Sequence, residues 1–590
     1  MNEDLPFGSR GGLAVRHHFP LDGDYLFRIS LERPLNQPVA GSGHQLEFRL
    51  DHGLVKLFDF DRSGNRRAGS GAGVGGLLDV RIPVKAGTRL VSASFIGSLD
   101  RSIPYDARPP NPPVASFQYS RVPINPIVFS IQVVGPYDGR TPADGSDARS
   151  RSTIFACAPE GPADEAPCAR EILSNLTRRA FRRPVTTADV DPLLASYEAG
   201  YEAGGFESGI QWALEALLVS PEFLFRVERH PPDVEPGTPF RLADVDLASR
   251  LSFFLWSSIP DDELLALAEA GRLSDPAVLE RQVRRMLDDP RSRALTTNFA
   301  GQWLFLRNLR TVAPNAVLFP TFDDNLREAF RRETELFFDS QVRADRSVLD
   351  LLAADYTFLN DRLARHYGIP GVYGSHYRRV RYPDDRRAGL LGHGSILTVT
   401  SHPNRTSPVV RGKWLLENLL GSPPPPPPPD IPALVENDEG REPATVRARM
   451  EQHRSNPTCA ACHAKMDPLG FALENFDAVG QWRSTDAEAD ASIDASGTLP
   501  DGTPFATPAE FRRGLLAEPW ASEFVGTAIE KLLTYAIGRG LDYHDAPTVR
   551  AIGREAETAG YRWSSIVLGI VNSAPFRMRR MPDPAATDAQ

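Results

Sequence analysis

Apolar residues recur along the chain with two different periods, and the change of period divides it. From residue 12 to 140 the runs GDYLFRISL, HQLEFRLD, LVKLFDF, LLDVRIPV, TRLVSASF and IVFSIQVV are short and mostly alternating, with Gly, Asp and Pro between them. That pattern predicts strands of an all-β sandwich or jelly roll, preceded by a polar linker over residues 1–11. Such a sandwich reads either as a structural spacer or as a carbohydrate-binding-like module. No residue in it fixes a ligand site.

After residue 150 the spacing becomes three to four, and the remainder is expected to be mainly α-helical. EILSNLTRRAF (171–181) places Ile172, Leu176 and Ala180 on one stripe, and GIQWALEALLVS (209–220) continues the pattern. LADVDLASRLSFFLWSSIPDDELLALAEAG (242–271) predicts two helices broken at Pro260, with Asp261 capping the second. RALTTNFAGQWLFLRNL and NLREAFRRETELFFDSQV carry the helical pattern to about residue 343. The division expected is a helical unit over 150–232, a helical domain over 238–370, a haem-binding domain over 380–485 and a C-terminal helical unit over 505–582.

An internal echo links the first and last helical units. GIQWALEALLVSPEFLFR and YRWSSIVLGIVNSAPFRMR match at their apolar positions and share a Ser-x-x-Phe-x-x-Arg exit. These exits are Ser220, Phe223 and Arg226 in the first and Ser573, Phe576 and Arg579 in the last. Upstream, RRAFRR (178–183) is loosely matched by TYAIGR (534–539). A duplicated helical unit and a chance likeness of helix ends both remain open here. Between residues 422 and 432 the chain reads SPPPPPPPDIP, whose prolines 423–429 predict an extended strut of roughly 20 Å.

Composition narrows the class. The 590 residues are 41% hydrophobic and 24% charged, which suits three to five soluble domains. Acidic residues (76) outnumber basic ones (66), giving a net charge of -10, and no basic face points to nucleic acid. No apolar run is long enough for a transmembrane span. The opening MNEDLPFGSRGG lacks a basic-then-apolar leader, so the chain is expected to be part of a longer exported protein. Of the four cysteines, Cys157 and Cys168 flank the loop-like APEGPADEAP and would close a disulfide in an oxidising compartment.

The other two carry the chemistry. In HRSNPTCAACHAKMDPLGFALENFDAVGQWR (453–483) the Cys-x-x-Cys-His motif offers two thiols for thioether bonds to haem c, and an imidazole for its iron. Cys459, Cys462 and His463 are therefore the cofactor-binding residues, with His463 the proximal iron ligand. Leu469, Phe471, Leu473 and Phe476 could wall off the macrocycle. A zinc site would need more Cys or His at suitable spacing than His453 supplies, and a thioredoxin-like pair would want a βαβ setting. Met466 is too close to His463 on the same helix to reach the opposite face of the ring. Met578 is the distal candidate, with Met581, His544 and His453 as others. In SHPNRTSPVVRGKW (401–414), Thr406 or Ser407 would cap a helix beginning at Pro408, while Arg405 or Arg411 could meet a haem propionate.

These segments resemble a known family. RTSPVVRGKWLLENLLGSPPPPPPPDIP and CAACHAKMDPLGFALENFDAVGQWR, with LTRRAFRRPVT, LLVSPEFLFRVE, RLSFFLWSSIPDDELL, RAGLLGHGSILTVTSHPNRTSP and LLTYAIGRGLDYHD, are similar to the planctomycete-type multidomain cytochrome c proteins. Those proteins are built from consecutive domains of unknown function. The likeness covers about residues 150 to 582, and implies export to the periplasm or cell surface and one covalent haem c at Cys459, Cys462 and His463. It supplies no substrate. The expectation is an electron-transfer protein, with an undefined redox partner, linked to extracytoplasmic, polysaccharide-related metabolism. The alternatives are a haem enzyme with an open iron, of peroxidase or oxidase type, and a surface glycan-binding protein whose haem is structural.

Overall fold

Alternation along the N-terminal third is resolved in a computed structural model that describes residues 4–6, 9–32, 45–59, 78–96, 127–140, 149–425, 445–455, 457–486 and 489–581. The strands are β1 (Ser9–Phe19), β2 (Asp22–Glu32), β3 (Gln45–Leu50), β4 (Gly53–Asp59), β5 (Leu78–Val84), β6 (Gly87–Ile96) and β7 (Ile127–Arg140). They form two antiparallel sheets, ordered β1-β6-β3-β4 and β5-β2-β7. Inward positions of both sheets meet in one core. Phe27 of β2 and Phe48 of β3 lie 5.0 Å apart between ring centroids, and both are fully buried. The all-β expectation thus holds as a two-sheet sandwich. The six predicted strands are β2 to β7. β1 was not expected, and it begins inside the stretch read as a linker. Its SRGGLAVRHHF has a glycine pair and a histidine pair that hide the alternation, and its register shifts between Ser9 and Gly12.

The rest is mainly helical. The helices used below are α1 (Pro162–Phe181), α2 (Thr187–Gly204), α3 (Phe206–Leu218), α4 (Pro221–Leu224), α5 (Asp244–Trp256), α6 (Asp262–Glu269), α7 (Pro408–Asn418), α8 (Pro457–Phe471), α9 (Trp520–Ile537), α10 (Ala546–Thr558), α11 (Trp563–Asn572) and α12 (Ala574–Arg577). The short strands β8 (Pro239–Arg241) and β9 (Met578–Arg580) pair antiparallel. Asp261 caps α6 by accepting from the Leu264 amide at 3.0 Å, as the Pro260 break predicts. No described helix is long and apolar enough to cross a membrane. Pro426–Pro429, most of the expected strut, lies outside the described residues.

Compact units do not follow the linear order of the chain. One unit comprises residues 1–147, 304–337 and 350–524, and the other residues 148–303, 338–349 and 525–590. The second unit therefore contains both halves of the sequence echo, and they share a hydrogen-bond signature. Arg183 grips Asp189 through both terminal nitrogens (3.0 and 2.8 Å) and donates to the Pro184 carbonyl, while Asp189 accepts the Thr186 amide at 2.8 Å. Arg539 grips Asp545 in the same way (2.7 and 3.0 Å) and donates to the Gly540 carbonyl, while Asp545 accepts the Asp542 amide at 2.9 Å. Each pair follows a left-handed helix cap, Arg182 (φ 57°) and Gly538 (φ 69°). Each precedes two helices and a short final one, α2 to α4 and α10 to α12. Cys157 and Cys168 are disulfide-bonded in this unit, as expected.

Candidate functional site

The Cys-x-x-Cys-His segment forms the first turns of α8 in the first unit. Two glycines let α7 approach α8 at backbone distance. A Cβ on Gly412 would strike the Met466 carbonyl, and one on Gly470 would strike the Pro408 carbonyl. Ser407 starts α7 by accepting from the Val410 amide at 3.3 Å, with Pro408 in the first turn. Of the two caps expected from the sequence, Thr406 and Ser407, it is the second. It places Gly412 one turn along α7, against α8.

Arg411, beside Gly412, is fully buried. It donates to the carbonyls of Leu473 (2.7 Å), Phe476 (2.9 Å) and Asp477 (2.9 Å), and to Ser401 Oγ (3.2 Å). Burial lowers its pKa to about 10, so it stays cationic at neutral pH. The expectation that Arg411 meets a haem propionate is corrected. Its donors are turned inward because the chain leaving α8 has carbonyls without helical partners. Arg405 donates to the Thr406 carbonyl at 3.2 Å. Glu474 receives Thr406 and Arg483, and Asp477 accepts the Val479 and Gln481 amides at 3.0 and 2.8 Å. The LENFDAVGQWR residues thus brace the exit of α8.

His463 is 18% exposed, and its Nδ1 lies 2.9 Å from Oδ1 of the fully buried Asp467, one helical turn on. The second Asp467 oxygen has Arg454 Nε at 3.6 Å and no hydrogen bond. The His453 ring stands edge-on to His463, 5.1 Å between centroids. Cys462 is a half-buried free thiol, and the side chain of Cys459 lies outside the described residues. With Nδ1 engaged, the nitrogen of His463 left for a metal is Nε2. The donor set fits a haem iron approached from that side.

The sequence reading missed Asp467. Its signal was the His-x-x-x-Asp spacing, which stacks two side chains on one helical face. Leu469, Phe471, Leu473 and Phe476 are core residues, each no more than 2% exposed, and Phe471 packs on Val446 and Met450. Their role as a wall for the macrocycle is therefore corrected: burial against neighbouring helices already uses their surfaces. Met466 is buried too. Met578, the distal candidate, belongs to the other unit, where it is 38% exposed in β9 opposite Arg241. The His544 ring lies tilted against that of Tyr543 there, 3.7 Å between centroids. On the sandwich, Phe129 and Tyr137 of β7 are exposed aromatic rings.

Four family profiles match in succession, each described as a protein of unknown function: DUF1595 over residues 168–228, DUF1592 over 242–369, DUF1588 over 387–486 and DUF1585 over 501–576. The third, which contains α7 and α8, bears the cytochrome-type label PSCyt3. No curated protein matches the chain. By this succession of domains the chain belongs to the planctomycete-type multidomain, cytochrome-like family of unknown function.

Proposed function

We propose that α8 carries one covalent haem c, joined through Cys459 and Cys462 with His463 as proximal ligand, and that the protein transfers electrons outside the cytoplasm. The observation that carries this reading is the His463–Asp467 pair in the middle of the helix that bears the attachment motif. A haem bound there would supply one-electron carriage. Asp467 accepts the Nδ1 hydrogen of His463, which fixes the tautomer with its Nε2 lone pair outward. Its negative charge also strengthens that lone pair as a donor, an effect that favours the oxidised metal. The close crossing at Gly412 and Gly470 and the Arg411 clamp hold the helix that presents His463. The Cys157–Cys168 disulfide agrees with a periplasmic or cell-surface setting.

A second reading, a haem enzyme with an open position, draws on the same pair, because an electron-rich imidazole also supports peroxide chemistry. Carbon monoxide binding to the reduced protein separates the two. Ready binding means no strong sixth ligand, and refusal favours electron transfer. Met578→Ala tests the distal candidate in the same assay.

The test is expression with a cytochrome c maturation system, followed by a haem stain after denaturing electrophoresis. The wild type is expected to stain, and Cys459→Ala/Cys462→Ala to lose the stain entirely. An unstained wild type would sink the proposal. Asp467→Asn is expected to keep the stain and to raise the reduced-to-oxidised ratio at fixed potential about tenfold, or about 59 mV for one electron.

A further inference from the structure

The second unit holds a cavity of about 440 Å³ where the end of α1, the exit of α4 and the start of α5 come together. Arg182, Arg226, Arg241 and Arg250 line it, against the carboxylates Glu228 and Asp246 among others. In a chain of net charge -10, this gathering of guanidinium groups needs an account.

Not all of them have work within the fold. Arg182 is buried and donates to the carbonyls of Ala180 (2.8 Å), Glu222 (2.7 Å), Phe223 (3.3 Å) and Phe225 (2.8 Å). These satisfy its donors but bring no countercharge. Arg250 is held by Glu228 at 2.6 to 2.9 Å and by the carbonyls of Pro575 and Phe576. Among the described residues, Arg226 and Arg241 have neither a hydrogen bond nor an ion pair from a side chain. Arg226 lies over the Phe253 ring, 5.3 Å from its centroid, with Arg182 at 5.9 Å from the same centroid. Burial lowers the pKa of Arg226, and the charge of Arg250 adds to this against that of Glu228.

The two copies of the helical unit provide an internal control. Arg226 and Arg579 occupy the same place in the two Ser-x-x-Phe-x-x-Arg exits. Arg579 has a carboxylate partner, Glu228, at 3.0 Å. Arg226, an exposed side chain that lines the cavity, has none within ion-pair distance among the described residues. The copies differ in whether a carboxylate is in direct contact with the guanidinium.

We propose that this cavity binds a small carboxylate-bearing molecule, whose carboxylate is received by Arg226 and Arg241. A guanidinium binds a carboxylate through two parallel N–H donors, and the pairing is strongest where water is partly excluded. The volume suits an acid of sugar or hydroxy-acid size. Val227, Ala243 and Val245, which also line the cavity, offer apolar surface for its carbon frame. The site is independent of the haem.

Calorimetric titration of the full chain with glucuronate, citrate and inorganic phosphate tests this. Saturable binding of at least one carboxylate is expected, with Kd raised about tenfold by Arg226→Gln and by Arg241→Gln, the latter on an exposed strand position that leaves the core untouched. A wild type that binds neither acid at about 10 mM overturns the proposal. Variants that bind as the wild type does also overturn it. Phosphate binding as tightly as the acids, and with the same dependence on the two arginines, overturns the carboxylate assignment.

Discussion

The α7–α8 crossing and the arginine cavity both centre on a guanidinium, and they use it in opposite ways. At the crossing, Arg411 is buried and donates to three carbonyls and a hydroxyl of its own chain. In the cavity, Arg226 touches a ring face and has no polar partner among the described residues. The first arrangement holds a helix in place, because the two terminal nitrogens of a buried guanidinium tie α7 to the chain leaving α8. The second leaves charge available. The two side chains also differ in exposure, Arg411 being buried and Arg226 exposed, and the informative quantity is what their donors meet.

The largest expected effect breaks the first region. Gly470→Ala puts a Cβ into the Pro408 carbonyl, and should destabilise by about 3 kcal/mol or more; urea unfolding measures it, and a loss under about 1 kcal/mol would mean that the helices can separate freely. Arg411→Met comes next. It removes one donor from each of three buried carbonyls, two of which keep a backbone N–H, and should lose about 2 kcal/mol in the same unfolding measurement.

Asp246 tests the second region through pH. Burial first, then the charge of Glu228, raises its carboxyl from 3.8 to about 6, against the charges of Arg229 and Arg250. A raised carboxyl favours the protonated folded state. Its contribution to stability is complete below the unfolded value of 3.8 and is lost as pH rises through 6. Asp246→Asn should therefore gain on the wild type above that pH, and match it under acid conditions. Denaturation series across the window check the sign, and a variant that loses stability at high pH contradicts it. The smallest effect is that of Arg226→Gln, which without ligand should change stability by under about 0.5 kcal/mol. If it destabilised as much as Arg411→Met, the contrast between the two arginines would fail.

Much of this was legible in the chain. Alternation located six of the seven described strands of the sandwich, and Pro260 with Asp261 located a helix break and its cap. Ser407 and Pro408 located the start of α7. These are local features, set by side-chain period and by hydrogen bonds within one turn, so a linear reading finds them. The echo at Arg226 and Arg579 was legible too, but its meaning was not. Whether those two positions are equivalent depends on the Arg183–Asp189 and Arg539–Asp545 clamps, which only the folded chain displays.

The attachment motif at Cys459, Cys462 and His463 needed no structure, since its chemistry lies in spacing. The sequence likewise determined the family, through the order of its domains, and the all-β then mainly helical plan. Tertiary structure alone decided the partners of each charge. Arg411, Leu469, Phe471, Leu473 and Phe476 looked available to a cofactor and are committed to the core. Arg226 looked like an ordinary helix end and has no carboxylate in direct contact among the described residues, although the charge of Glu228 acts on it. The reason is physical: hydrophobic period and turn chemistry act between neighbours in sequence, while countercharges and buried donors are satisfied by whatever residues packing brings close. Here those residues lie as much as several hundred positions away: Arg250 and Phe576 are separated by 326.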